Sequence, residues 1–268
     1  NVFLSPAWNQ AARLARASRR HRSRALGLGA VHPAKRTDLL ANAVKQTLSA
    51  AVAAGGKLLK PMGPALDAAG GTSVQIMDAD GRVFEVVHGD GLHSDVSQAV
   101  DRPTRLAHVV LNSHRVEHTR AFLEQALDFS LADRTRIMAF MRCNDDHHSI
   151  ALGDTDNDAL NHVAFLMPAL DGVMRGGGRM KDAGYAIEWG PGRHGPGDNA
   201  FNYFVGPFDL VIEYTAEVEQ IDDSYQVGRP EDWKWPPGRV DQWGIGVGPT
   251  DRLKHAQRTV LFAGIDPA

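Results

Sequence analysis

Two histidines and one glutamate stand in apolar runs of the sequence that are typical of buried strands. His108 lies in the run LAHVVL, His162 in LNHVAF and Glu213 in LVIEY. A polar group buried in a strand costs free energy unless it has a partner, and these three groups could share a single one. Two imidazoles and one carboxylate form the facial triad that holds non-haem Fe(II) and leaves positions open for substrate and O2. A lone strand histidine is more often a structural residue with its own hydrogen bond, but the three together favour a metal site.

The periodicity of the sequence predicts three successive strand–helix–strands units that would position these residues. The predicted strands cover residues 25–31, 73–77, 83–87, 106–111, 137–142, 149–152, 160–165, 186–188, 202–205 and 210–214. The predicted helices cover about residues 38–54, 116–127 and 170–183. Gly55-Gly56 ends the first helix, whereas the glycine triplet at 176–178 weakens the prediction of the third.

The first and third units align over their opening and closing strands, residues 26–29 with 160–163 and 84–87 with 211–214. The early copy has Leu28 where the later copy has His162. We therefore expect the N-terminal part of the chain to repeat the fold without a metal. The second and third units together hold the whole triad.

The composition limits the classes of protein to which the chain can belong. Its 268 residues predict two ordinary domains or one large one, and 43% hydrophobic residues are enough for real cores. A net charge of -3 argues against a nucleic-acid partner, and no apolar run reaches membrane-spanning length. The single cysteine, Cys143, rules out an internal disulfide framework and favours a reducing compartment, the cytoplasm.

The two ends of the chain differ in composition from the rest. Residues 1–37 contain no acid but seven arginines, which suggests either a targeting or anion-binding arm or, more simply, a solvated helix face. Because the chain begins with Asn1 rather than Met, we expect its true N-terminus to be missing. The N-terminal domain is short of a full first strand–helix–strands unit, so we also expect that domain to be incomplete. The tail from residue 221 onward is rich in Trp, Pro and Gly, and we expect it to pack over the domains and to cover a site.

With these patterns, the chain resembles the type I extradiol ring-cleavage dioxygenases, which are similar to catechol 2,3-dioxygenase and belong to the vicinal oxygen chelate superfamily. The resemblance covers about residues 25–215 and is strongest over 106–214. It implies an α+β fold in which repeated βαβββ modules form half-barrels, with iron bound only in the C-terminal domain. It divides the chain into a metal-free N-terminal domain at 1–95, a catalytic domain of two modules at 104–220, and a tail at 221–268.

The resemblance also implies two further active-site histidines. The segment NDDHHSIAL at 144–152 is similar to the family segment that carries the acid–base histidine, which falls on His148. The segment RHGPGDN at 193–199 is similar to the loop that carries a second histidine, here His194. The alternatives are that His148 lies on a surface loop and that His194 is a turn residue among glycines.

Three more residues match the family pattern. Tyr203 falls on the family's active-site tyrosine, although it could instead be ordinary core packing. Phe140 falls on a bulky residue that lines the substrate and O2 pocket. Asp198 is either a turn former or a group that orients His194.

In such an enzyme the resemblance implies Fe(II), with Mn(II) less favoured, an aromatic diol and O2 as substrates, and a homo-oligomer. Tyr203 would hydrogen-bond a deprotonated diol oxygen, His148 would take a second proton and later return it, and His194 would assist ring opening. The product would be a semialdehyde. Two alternatives remain. The first is another metal-dependent enzyme of the superfamily, either a glyoxalase-like isomerase or a hydrolase, and such enzymes usually need a fourth protein ligand. The second is a metal-free protein that sequesters a ligand, like those that bind bleomycin.

Overall fold

The computed structural model describes residues 46–65, 70–88 and 99–262. The predicted strand at 25–31, the start of the first helix and the basic segment at 1–37 lie outside the described residues. The described chain forms two compact units, the first from residues 46–65, 70–88 and 117–130 and the second from residues 99–116 and 131–262. Residues 117–130, which include most of a helix, thus belong to the first unit, whereas the sequence placed them in the catalytic domain 104–220.

The first unit contains a three-stranded antiparallel sheet. Helical residues 46–53 (α1) are followed by strands β1 (Lys57–Pro64), β2 (Thr72–Met77) and β3 (Val83–His88), in the order β1-β2-β3. Helix α2 (Val116–Leu127) has the predicted bounds. Its Phe122 ring lies 5.6 Å from the Phe84 ring of β3, so the helix and the sheet share an apolar contact.

Strand β1 was not predicted, whereas β2 and β3 were. Its sequence KLLKPMGP contains Pro61 and Pro64, which argue against a strand because proline cannot donate a backbone hydrogen bond. The structure places β1 at the edge of the sheet, where the missing donor costs little, and its pairing with β2 contains register shifts.

The second unit is built on an eight-stranded sheet of order β5-β6-β7-β4-β8-β11-β10-β9. Its strands are β4 (Arg105–Ser113), β5 (Ser130–Arg134), β6 (Met138–Arg142), β7 (Ile150–Asp154), β8 (Leu160–Leu166), β9 (Trp189–Arg193), β10 (Ala200–Val205) and β11 (Val211–Ala216). The first strand of each module pairs in parallel with the last, β4 with β7 and β8 with β11, and the modules join through the antiparallel pair β4–β8. The predicted α+β fold of paired βαβββ modules is confirmed.

Helix α3 (Leu170–Asp182) forms despite its glycine triplet because two of the glycines lie against the sheet. A Cβ added to Gly176 would lie 3.0 Å from the Tyr214 ring, and one added to Gly177 would lie 2.9 Å from the Asn202 amide. The absence of side chains therefore allows the helix to approach β10 and β11 closely. Val173 and Met180 of the helix pack with Phe204 and Tyr214 in one apolar cluster.

Two strands of the second unit differ from the prediction. Strand β5, with the sequence SLADR, was missed because it is short and carries a buried aspartate, Asp133. Strand β9 begins at Trp189, three residues after the predicted start at 186, and its sequence WGPGR contains two glycines and a proline. Both are edge strands of the sheet, where such residues are tolerated.

The tail contacts the second unit at several points. Helix α4 (Asp251–Ala256) is capped by Thr250, whose hydroxyl accepts a hydrogen bond from the Leu253 amide. Leu253 and Ala256 pack against Phe201 and Tyr203 of β10. Tail residues therefore lie on the strand that carries the predicted tyrosine. Among the described residues, no helix has the length and apolar character needed to cross a membrane.

Candidate active site

The three predicted metal ligands come from neighbouring strands of the second unit. His108 of β4 and Glu213 of β11 both pair with Ala164 of the central strand β8. His162 precedes Ala164 by two residues and so projects from the same face of β8. The strand register thus places the three side chains close together on one face of the sheet, around the small side chain of Ala164.

The ligand atoms of the three side chains converge. Both the His108 Nε2 and the His162 Nε2 lie 3.1 Å from the Glu213 Oε2, and all three side chains are buried. Neighbouring ligands of an octahedral ion bound at about 2.1–2.2 Å are separated by about 3 Å, which matches this spacing. Within the described part of the chain, this is the single group of three such residues able to hold a metal.

The hydrogen bonding of His162 also fits a metal. The His162 Nε2 is buried and, although close to Glu213, has no properly aligned hydrogen-bond partner. The contact therefore has the spacing of two ligands rather than the geometry of a donor and an acceptor. A buried nitrogen without a partner is costly, and a metal ion would satisfy it.

The electrostatics favour the protonation states that a metal requires. Burial alone would raise the pKa of Glu213, but the adjacent His108 and His162 hold that pKa well below its ordinary value. Burial lowers the pKa of His162, although the Glu213 carboxylate opposes the shift. A carboxylate and a neutral imidazole are the forms that coordinate metals, so the site is prepared for one.

An amide that the sequence analysis did not single out orients His162. The His162 Nδ1 lies 2.8 Å from the Asn161 Oδ1, and the Asn161 Nδ2 donates to the Asn112 Oδ1 at 2.8 Å. Because the second bond fixes the direction of the amide, its oxygen faces His162 and accepts the Nδ1 hydrogen. The Nε2 lone pair is then left for a metal. A polar residue beside a strand histidine was the available sequence signal.

A second amide holds the glutamate. The Asn199 Nδ2 donates to the Glu213 Oε1 at 3.2 Å and to the Thr215 hydroxyl at 2.7 Å. Asn199 and Thr215 are fully buried. This leaves the Oε2 of Glu213 as the oxygen that faces the two histidines.

His148 lies beside the predicted ligands, two residues before strand β7. Its ring centroid is 4.3 Å from that of His108 and 5.1 Å from that of Phe140. Burial, with the neighbouring His108, holds the pKa of His148 well below its ordinary value. The structure therefore places a neutral imidazole next to the metal ligands, with Phe140 against it, rather than on a surface loop.

Tyr203 and His194 form a pair on the other side of the ligands. Tyr203 is opposite Glu213 in the β10–β11 pair, and its ring lies 5.1 Å from that of His162. Its hydroxyl lies 3.0 Å from the His194 Nε2. Burial and the nearby Glu213 charge raise the pKa of Tyr203 well above its ordinary value, and burial lowers the pKa of His194 to about 4. Both groups are therefore neutral near pH 7.

Asp198 is the one predicted site residue that the structure does not bring to the others. Its carboxylate is exposed and lies 3.5 Å from the Arg193 Nη1, not at the His194 ring. The ring nitrogen of His194 contacts Tyr203 instead. The φ of +44° at Asp198 agrees with the alternative of a turn former.

Comparison with known proteins agrees with this fold and site. Residues 105–214 match the model of the Glyoxalase/Bleomycin resistance protein/Dioxygenase superfamily. The chain is 32% identical over 154 residues to Metapyrocatechase 2 of Cupriavidus necator, a match that covers 54% of this chain and 46% of that protein. The chain thus spans about half the length of this curated relative.

Solved structures extend the likeness over more of the chain. A Mn(II)-bound glyoxalase from Novosphingobium aromaticivorans is 35% identical, with a TM-score of 0.72, and the match covers 84% of this chain and 75% of that one. A 2,3-dioxygenase from Pseudomonas sp. KL28 shares the fold at 19% identity, with a TM-score of 0.61 and coverage of 71% and 73%. The chain belongs to the glyoxalase/bleomycin resistance protein/dioxygenase superfamily, whose members have the vicinal oxygen chelate fold.

Proposed function

We propose that the chain is an Fe(II)-dependent extradiol dioxygenase, which inserts both atoms of O2 into a catechol-type aromatic ring and yields a semialdehyde. One observation carries the proposal: a buried face of three metal ligands is flanked by a neutral histidine, His148, and by the Tyr203–His194 pair. The likeness to Metapyrocatechase 2 supports it.

A metal held by His108, His162 and Glu213 on one face would keep coordination positions open. Those positions would take the two oxygens of an aromatic diol and one O2. When bound, a divalent metal at His108, His162 and Glu213 would supply a centre through which electron density passes from the diol to O2. Both Fe(II) and Mn(II) accept this ligand set, and we propose Fe(II) as the native ion.

The neighbouring side chains suit the proton transfers of this reaction. Tyr203 keeps its proton because its pKa is raised, so it can donate a hydrogen bond to a deprotonated diol oxygen. His148 is neutral because its pKa is lowered, so a ring nitrogen can accept a proton from the second hydroxyl and return it later. His194 holds the Tyr203 hydroxyl, and Phe140 provides an apolar wall beside His148.

A glyoxalase-like isomerase is the second candidate, because the chain is 35% identical to a Mn(II)-bound glyoxalase. Such enzymes usually need a fourth protein ligand. Within the described residues, the ligand group contains only His108, His162 and Glu213. An isomerase also has no evident use for an acid–base histidine and a tyrosine on opposite sides of the metal.

The deciding measurement is O2 uptake by protein loaded anaerobically with Fe(II), using a panel of catechols and trihydroxybenzenes. We expect one O2 per ring and a yellow ring-opened product. His162→Ala should lose metal and turnover together, whereas His148→Ala should keep the metal and lose most turnover. Stoichiometric Fe(II) binding without O2 uptake by any panel member would refute the proposal, and conversion of a glutathione–methylglyoxal adduct would then establish the isomerase.

We also propose a role for each of three parts of the chain. Residues 104–220 would form the catalytic part, residues 1–95 a metal-free domain and residues 221–268 a tail that covers them. We further propose a homo-oligomer located in the cytoplasm, where a chain with one cysteine, the buried Cys143, needs no disulfide. Light scattering coupled to size-exclusion chromatography would measure the mass, and a monomer would refute the oligomer.

A further inference from the structure

A second histidine and an aspartate, which the proposed reaction does not use, lie directly behind His148. Asp133 and His147 are both fully buried, and the Asp133 Oδ2 is 2.6 Å from the His147 Nε2. The His147 Nδ1 is in turn 3.0 Å from the His148 Nδ1. The two contacts form a continuous chain of hydrogen bonds, Asp133–His147–His148, that ends beside the metal ligands.

We propose that Asp133 and His147 are positioning residues that hold His148 in one tautomer, with its proton on Nδ1 and its lone pair on Nε2. The role of that lone pair as the proton acceptor rests on the proposed function. The tautomer itself rests on the hydrogen-bond geometry with both histidine rings neutral, so the two can be tested separately.

The tail fixes the orientation and hydrogen bonding of Asp133. The Gly228 amide donates to the Asp133 Oδ1 at 2.7 Å, and the Tyr225 hydroxyl donates to the Oδ2 at 3.2 Å. An ionised carboxylate can only accept hydrogen bonds. The His147 Nε2, which shares the Oδ2, must therefore carry a hydrogen and donate it.

That assignment determines the direction of the second bond. With His147 neutral, as the proposed arrangement requires, the ring has one N–H, so a hydrogen on Nε2 leaves a lone pair on Nδ1. The His147 Nδ1 is then an acceptor, and the His148 Nδ1 must be the donor. A neutral His148 that donates from Nδ1 has no hydrogen on Nε2. This Nε2 has no hydrogen-bond partner among the described residues.

The space around the two rings excludes another partner for the His148 Nδ1. Gly197 has a φ of +79°, and a Cβ there would lie 3.1 Å from the Nδ1 atoms of both His147 and His148. The loop thus closes over the bond and leaves no room for a side chain. The Phe140 ring packs on the rings of both histidines, at 5.7 Å from His147 and 5.1 Å from His148.

Control of the tautomer has a chemical consequence. Without the bond from His147, the His148 ring could carry its hydrogen on either nitrogen. With the hydrogen on Nε2, that atom would be a donor and could not take a proton from the diol. In a hydrolase with a comparable aspartate–histidine pair, the wrong tautomer lowers kcat by about 10⁴.

Asp133→Asn is the informative variant because the structure predicts how the amide will lie. The Gly228 N–H requires an acceptor at the Oδ1 position, so the NH2 group must take the place of the Oδ2. The His147 Nε2 then becomes an acceptor and its Nδ1 a donor, which moves the His148 hydrogen to Nε2. Tyr225→Phe is the matched control, since it removes another hydrogen bond to the same oxygen but leaves the Asp133–His147 contact.

The first readout is the tautomer, measured by long-range ¹H–¹⁵N spectra of the full-length protein with ¹⁵N-labelled histidine, metal-free and with diamagnetic Zn(II). The His148 signals would be assigned with His148→Gln. We expect Nδ1–H in the wild type and in Tyr225→Phe, and Nε2–H in Asp133→Asn. Wild-type His148 with its hydrogen on Nε2, or His147 protonated on both nitrogens, would overturn the proposal even if Asp133→Asn failed to fold.

The second readout is turnover at equal Fe(II) content. We expect kcat of Asp133→Asn to fall about 100-fold or more, with KM little changed, and kcat of Tyr225→Phe to stay near that of the wild type. An inverted tautomer with wild-type kcat would overturn the positioning role. If the wild type itself consumed no O2, the proposed function would fail, whereas the measured tautomer would still decide the hydrogen-bond assignment.

Discussion

Replacement of Asn161, which touches no metal, should change the metal affinity through His162. In Asn161→Ala, the His162 Nδ1 loses the acceptor that lies 2.8 Å away. Freedom between two tautomers in the metal-free protein costs about 0.4 kcal/mol, and the imidazole also loses the acceptor that raises its basicity as a ligand. Together these make metal binding about tenfold weaker, at the lower end of the 10–100-fold typical for such outer-shell partners.

Asn161→Asp should change the affinity in the opposite direction. A carboxylate is a stronger acceptor from Nδ1–H than an amide is, and it adds a negative charge near the cation, so the metal should bind more tightly. Asn157→Ala is a matched control. Asn157 accepts a hydrogen bond from Asn112 in the same amide chain but does not contact His162, so its removal should leave the affinity unchanged.

The assay is calorimetric titration of the metal-free protein with Mn(II), which is stable in air, together with thermal unfolding of each variant. We expect the Mn(II) affinity to fall in Asn161→Ala and to rise in Asn161→Asp. Wild-type affinity in Asn161→Ala, or a change in the same direction in both variants, would refute it. An equal loss in Asn157→Ala would show that the effect arises from the amide chain as a whole.

Four further results are expected. Glu213→Gln should abolish stoichiometric Mn(II) binding in the same titration, because it removes the charged ligand. Tyr203→Phe should keep the metal and lower kcat for O2 uptake, since it removes only a hydroxyl; loss of the metal would contradict this role. Gly197→Ala should lower the free energy of unfolding in denaturant titrations by about 1–2 kcal/mol, because Gly197 has a φ of +79°. Gly178 lies on a helix with open space around it, so Gly178→Ala should raise the free energy of unfolding by about 0.5–1 kcal/mol. The pKa of His194 is lowered from 6.5 to about 4 in the folded protein, so the unfolded state takes up a proton first as the pH falls. The free energy of unfolding of the metal-free protein should therefore fall as the pH drops from about 6.5 to 4. The decrease should be less steep in His194→Asn.

Most elements of the second unit could be predicted from local patterns, and the exceptions share a cause. Strands β4 and β8, together with the helix at 170–182, have strong apolar periodicity, which is a property of the sequence alone. Strands β5 and β9 carry a buried aspartate or glycine and proline, residues that disfavour strands locally. They form strands because the neighbouring strand provides the hydrogen bonds, and that is a tertiary effect.

The sequence by itself determined which side chains are the candidates to hold a metal. A histidine or glutamate in an apolar strand has few satisfactory partners, so His108, His162 and Glu213 could be identified before any distance was known. Only the tertiary structure decided which groups contact the histidines of the site. Asn161 contacts His162, and Asp133 contacts His147, each through a single hydrogen bond of about 3 Å or less. Whether such a bond forms depends on strand register and loop closure across many residues, which no local pattern encodes.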